Sequence, residues 1–162
     1  MTIKIQGKPL GINKRIEVKP TIALVDKGDA MMIQALQANL DETKDEIKRK
    51  REAEENKKLE DSLSPDELKQ KKADDEKKNL QDSVQSMQEE RDYVKKVFDY
   101  FQLALHLTER QVEKAKEIMS FEDMGKYLYY VIGRIKGRSD EDFDLDQKIE
   151  AEKSKGEDPK KD

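Results

Sequence analysis

Residues 93–137, YVKKVFDYFQLALHLTERQVEKAKEIMSFEDMGKYLYYVIGRIKG, hold most of the aromatic and aliphatic side chains of an otherwise intensely charged chain. Two capping signals divide the stretch. Thr108-Glu109-Arg110-Gln111 has the spacing of a capping box, in which the hydroxyl takes the N–H three residues on and the glutamine reaches back. Ser120-Phe121-Glu122-Asp123 repeats the signal with aspartate as a weaker stand-in. The stretch therefore reads as the end of a long helix followed by two short ones. Val112, Ala115, Ile118 and Met119 mark the apolar face of the first short helix, and Phe121, Met124, Leu128, Val131, Ile132 and Ile135 that of the second. Gly137 suits the left-handed position that closes a helix.

Upstream, Val84, Met87, Arg91, Val94, Phe98, Phe101 and Leu105 recur in alternating steps of three and four, with Arg91 the single polar interruption. Residues 80–137 thus form the expected helical core. Residues 41–79 are different: acid-first i,i+4 pairs such as Asp45–Arg49, Glu46–Lys50, Glu54–Lys58 and Glu67–Lys71 favour helix by about 0.2–0.5 kcal/mol each, without any apolar face to bury. Ser64, Pro65 and Glu67 supply a break and a fresh helix start. Two readings stay open for this charged arm: an antiparallel helical hairpin of coiled-coil type, or a partly disordered linker.

Residues 1–40 read as a β-hairpin plus a first helix. Ile3 and Ile5, then Ile16 and Val18, alternate as strands, and Gly7-Lys8-Pro9-Leu10-Gly11 supplies the turn. The helix carries Met31, Met32, Ile33, Leu36 and Leu40 at helical spacing. Residues 138–162 have ten acids and six bases with few apolar residues, and are expected to form a disordered acidic tail, helical at most around 147–153. The fold class is mainly α, with a small N-terminal β-hairpin packed on a helical core.

Composition narrows the function. Hydrophobic residues make up 34% and charged residues 43%, with 33 basic against 37 acidic side chains, a mixed surface that offers no footprint for nucleic acid. The basic run Lys48-Arg49-Lys50-Arg51 is flanked by acids and reads as a salt-bridged helix face. No apolar run approaches the length that spans a bilayer, and no signal peptide is legible at the N-terminus. With no cysteine, thiolate metal sites and disulfides are excluded, and the expected setting is a reducing cytoplasm. A single histidine, His106, cannot build a triad or a multi-histidine metal site, and its place suggests a polar helix terminus. The alternating carboxylates Asp140, Asp142, Asp144 and Asp146 fail as a calcium loop: position six would be Leu145 and position twelve Ala151. Phe98, Tyr100, Phe101, Tyr127, Tyr129 and Tyr130 fit core packing better than a stacking platform for single strands. No enzyme and no cofactor is expected, so the function lies in binding.

The helix with VFDYF, the capped LTERQVEK and the closing SFEDMGKYLYYVIGRIKG resemble the tail assembly chaperones of long-tailed phages and prophages of Gram-positive bacteria. The opening MTIKIQGKPLGI resembles that family's N-terminal strand pair. The charged residues 41–79 read as a departure from the family's compact pattern. The resemblance implies a helical protein of the infected host's cytoplasm, absent from the mature virion. It also implies two partners, the tape measure protein, which it escorts, and the tail tube protein, which it helps recruit. A longer form made by ribosomal frameshifting belongs to the same expectation, and Lys160-Lys161 would lie near the slippery codons. The alternative is a coiled-coil scaffolding or adaptor protein of phage capsid assembly, with residues 41–105 as its rod. Candidate partner-binding residues are Met31, Met32, Leu36, Val94, Phe98, Phe101, Leu128 and Ile132, for which burial in the chain's own core is the competing reading. Self-association through the Val84–Leu105 stripe is a further expectation.

Overall fold

The computed structural model describes residues 1–156. Strands β1 (Ile3–Gln6) and β2 (Arg15–Val18) pair antiparallel, Ile3 opposite Val18 and Ile5 opposite Ile16, around a 3₁₀ turn at Lys8–Leu10. Five helices follow: α1 (Ile22–Glu60), α2 (Pro65–Leu105), α3 (Glu109–Ile118), α4 (Phe121–Ile135) and α5 (Asp140–Gly156). The expected mainly helical fold with a small N-terminal hairpin is what the structure has. The chain divides into two units: residues 1–30 with 97–162, and residues 31–96. Helices α1 and α2 each contribute a part to both.

The first unit owns the core. Alternation along the hairpin turns Ile5 and Val18 inward, where Leu10 joins them, and all three are essentially buried. The same core holds Val97, Phe98, Tyr100, Phe101, Ala104 and Leu105 of α2, and Tyr127, Leu128, Val131, Ile132 and Ile135 of α4. Phe101 sits edge-on to Phe98 at 5.7 Å and to Tyr127 at 5.2 Å, the geometry that aromatic quadrupoles favour. The Tyr127 O–H donates to the Gln6 carbonyl at 2.6 Å and ties α4 to β1. Gly28 lies inside α1 because a Cβ there would stand 2.9 Å from the Tyr100 hydroxyl and 3.1 Å from Ile132, so only glycine lets α1 approach so closely.

The local signals act as expected. Thr108 and Gln111 make both bonds of a capping box, and Ser120 accepts the Asp123 N–H at 3.1 Å. Ser64 and Glu67 cap α2 reciprocally, with Pro65 in the first turn. That cap occupies Glu67, so Lys71 turns to Glu60 and Asp75 in place of the expected Glu67–Lys71 pair. Gly137 closes α4 at φ 101°, while the N–H groups of Gly137 and Arg138 return to the carbonyls of Arg134 and Gly133. His106 ends α2 at φ 52°, the helix-terminal role expected of it.

One expectation needs correcting. Residues 140–156 are helix, not a disordered tail. Ser139 and Asp142 form a further capping box, the Ser139 N–H reaching the Asp142 carboxylate at 2.7 Å and the Asp142 N–H returning to the Ser139 hydroxyl at 3.2 Å. Phe143 then buries its ring against Tyr130 at 5.0 Å, over Gly133, where a Cβ would come within 2.6 Å of the ring. The tail's last residues, with Lys160-Lys161, lie outside the described ones.

Candidate functional site

The second unit has no core. Among the described side chains of residues 32–96, none is buried, and from 76 to 92 every one is exposed. The sequence explains this, since the apolar residues here are too sparse to make a continuous seam between two helices. The hairpin is held at its two ends. At the tip, the Ser62 hydroxyl donates to the Leu59 carbonyl at 2.7 Å. There the Lys71 ammonium lies 3.6 Å from Glu60 and 3.9 Å from Asp75, buried but without an aligned hydrogen bond. At the base, the Lys96 ammonium donates to Gln34 at 3.5 Å, and Tyr93 and Val94 are half-buried.

Between these ends the arm displays apolar side chains to solvent. Leu36, Leu40 and Ile47 of α1 are 57%, 61% and 53% exposed, and Leu80, Val84 and Met87 of α2 are 68%, 54% and 62% exposed. A shallow groove of about 700 Å³ along α2 is lined by Ala73, Leu80 and Val84 together with Glu76, Lys77, Gln81, Gln85 and Gln88. Exposing large aliphatic side chains in a row forgoes about 1.5–3 kcal/mol for each that could be buried. A series of such residues on one element marks an interaction surface more often than a scattered leucine does.

The eight partner-binding candidates fall into two groups. Phe98, Phe101, Leu128 and Ile132 lie in the core of the first unit, and Met31 is also buried. Leu36 is exposed, and Met32 and Val94 are half-buried. These three come from the base of the arm, where Ile33, 55% exposed, extends them. Sequence reasoning singled out residues by apolar character, which marks core and interface positions alike. It counted Val84 and Met87 on one stripe with the core residues of 80–137, whereas both are exposed.

The first unit carries one charged cluster. Asp140 accepts from Arg15 at 2.8 Å and from the Tyr130 hydroxyl at 2.7 Å, while the Arg134 Nε lies 3.4 Å away and its Nη2 donates to the Lys4 carbonyl at 3.1 Å. Burial by itself would raise the Asp140 carboxyl, but the Tyr130 bond and the two guanidinium groups together hold it below its ordinary value. The Tyr130 hydroxyl is pushed up, first by burial and then by its bond to that carboxylate. Arg138 adds a second tie: it lies over the Phe143 ring at 4.3 Å, pairs with Asp146 and donates to Tyr129 at 2.7 Å. These contacts join the hairpin, α4 and α5, while the Arg134 Nε is buried beside Asp140 without an aligned hydrogen bond. The cluster fastens the two ends of the first unit to each other.

Among the described residues no group of three or more His, Cys, Asp or Glu could hold a metal ion. No helix among them is long and apolar enough to cross a membrane. A family model described as phage tail assembly chaperone proteins matches residues 52–153, more than half of the chain. The match takes in the arm from residue 52 onward, which the sequence reading set apart from the family, and leaves the N-terminal strand pair outside it. Neither a curated protein nor a solved structure matches the chain.

Proposed function

The chain belongs to the phage tail assembly chaperone family, and from that premise we propose that it binds the tape measure protein before tail assembly and helps recruit the tail tube protein. It does so in the cytoplasm of the infected host and is left out of the finished virion. The observation that carries this reading is the arm: a unit without a core that displays aliphatic side chains between strongly charged flanks. Such a surface can cover apolar segments of an unassembled partner while its own charge keeps the pair dispersed.

The contact we assign to the tape measure protein is the base of the arm: Met32, Ile33 and Leu36 of α1 with Val94 of α2. Methionine and leucine side chains there can repack against apolar residues of differing shape. The candidates Phe98, Phe101, Leu128 and Ile132, buried in the core of the first unit, are not part of this contact. Co-expression with the tape measure protein tests the reading. The wild-type chain is expected to raise the soluble fraction of that protein and to co-purify with it, and Leu36→Asp to weaken both. Unchanged solubility with the wild-type chain would sink it.

A further inference from the structure

We infer that the outer edge of β2 takes an extended, acidic segment of a partner protein as an added strand, bonded to the backbone of Arg15 and Glu17. The site is built by the first unit alone and uses none of the residues assigned to the tape measure contact.

The two edges of the hairpin differ. On β1, the Gln6 N–H donates to the Tyr130 hydroxyl at 3.2 Å, and the Gln6 carbonyl accepts from Tyr127 at 2.6 Å. The Lys4 carbonyl accepts from Arg134 at 3.1 Å. Side chains of α4 thus satisfy and cover that edge. The same bonds fix the parity of the ladder. In an antiparallel pair, residues whose N–H and C=O face the partner strand alternate with residues whose groups face away. Lys4 and Gln6 face away from β2, so the residues opposite them, Glu17 and Arg15, face away from β1. Both are exposed, and among the described residues nothing bonds their N–H or C=O groups. Such a row of open main-chain groups is a template for strand addition.

Beside this edge lies a groove of about 430 Å³, lined by Ile12, Ile16, Leu105 and Leu107 with His106 and Gln111. In an added strand, the residue opposite Ile16 points to the same face as Ile16, over the groove. Main-chain pairing then supplies the hold, and the groove a preference for an apolar side chain at that position.

Charge selects the occupant. Five of the chain's 33 basic residues but only one of its 37 acidic ones fall in residues 1–20, a local positive excess in a chain whose net charge is -4. Arg15 is held by Asp140, and Lys4 lies 3.9 Å from Glu17. Lys14 and Lys19 flank β2 at its two ends and form no ion pair among the described residues. They stand about 17 Å apart along an extended chain. A short segment with carboxylates at both ends and an apolar residue between them matches that spacing. The β2 of a second copy fits less well, because its Arg15 and Glu17 could pair crosswise only by leaving Asp140 and Lys4.

The experiment is amide hydrogen exchange, read by NMR on the full chain, with the end-capped heptapeptide Asp-Asp-Thr-Val-Thr-Asp-Asp. The Arg15 and Glu17 amides should exchange about tenfold or more slowly with peptide, as strand pairing requires, while Ile16 and Val18, already bonded to β1, change little. The same peptide N-methylated at both threonines should give no protection. Lysine in place of each aspartate should weaken binding about tenfold or more, a preference that fades with salt. Lys14→Glu with Lys19→Glu changes two exposed positions; the variant should keep wild-type helix content by circular dichroism and lose the acidic peptide by a similar factor. Peptide binding that leaves the Arg15 and Glu17 amides unprotected would be adsorption to surface charge and would overturn the proposal. Equal binding of the acidic and basic peptides would overturn it as well. So would protection of those amides without peptide that grows with chain concentration, since the edge would then belong to a second copy.

Discussion

Val84 and Phe101 lie on one stripe of one helix, at the same alternation of three- and four-residue steps, yet Val84 is 54% exposed and Phe101 wholly buried. The helix is the same and the residues are comparably apolar. What differs is the company: Phe101 has Phe98 and Tyr127 against it, and Val84 has solvent. A periodic apolar face states that a helix is able to bury something, while its surroundings decide whether it does. Here the contrast separates a folded body from an arm whose apolar side chains stay exposed.

The comparison can be broken most forcefully at the core. Phe101→Ala should cost about 3–5 kcal/mol in urea unfolding, the usual range for emptying a buried aromatic site. An effect below 1 kcal/mol would mean that the first unit is not the stable body described. Gly133→Ala should cost about 1–3 kcal/mol by overpacking, because the added methyl group meets the Phe143 ring. Its hydrogen-exchange signature is loss of protection across 140–153 while α4 keeps its own. His106→Gly should gain about 0.5–1 kcal/mol by relieving the left-handed backbone at the end of α2. At the other extreme, Val84→Ala should shift unfolding by less than about 0.5 kcal/mol.

Acid and alkali sharpen the same contrast. The lowered Asp140 carboxyl contributes stability that is complete above its unfolded value, near 3.8, and is lost as pH falls through the still lower folded value. Below pH 3.8 the docking of α5 should loosen first, seen as exchange in residues 140–153. Tyr100 moves the other way: burial, then the nearby Asp29, pushes its hydroxyl up to about 12. Its contribution is complete below pH 10 and is lost as pH rises toward 12, which unfolds the first unit as tyrosine absorbance shifts. In the arm, burial also pushes the Tyr93 hydroxyl up, at its base; the rest of its helix content should respond through surface charge.

How much of this was legible depended on distance along the chain. The capping box at Thr108, the cap at Ser120, the break at Ser64–Pro65 and the close at Gly137 are all written within a few residues, and each acts as read. Ser139 and Asp142 carry a signal of the same kind for α5, a serine three residues before an aspartate, set in a stretch whose acidic composition reads as a tail. The base of the arm held three of the eight expected contact residues at accessible positions. The apolar middle was not distinguishable from core, because exposure is not a property of a residue type.

By itself, the sequence determined most of the helices, their ends and the strand pairing, since these follow from hydrogen bonds and side-chain periods spanning a few residues. Only the tertiary structure decided that α5 is ordered, through Arg15 reaching Asp140 from the far end of the chain and Phe143 settling over Gly133. It alone decided, too, that one stretch of α2 is core and the preceding stretch is surface. Burial requires neighbours, and neighbours are brought together by the fold rather than written beside the residue they cover.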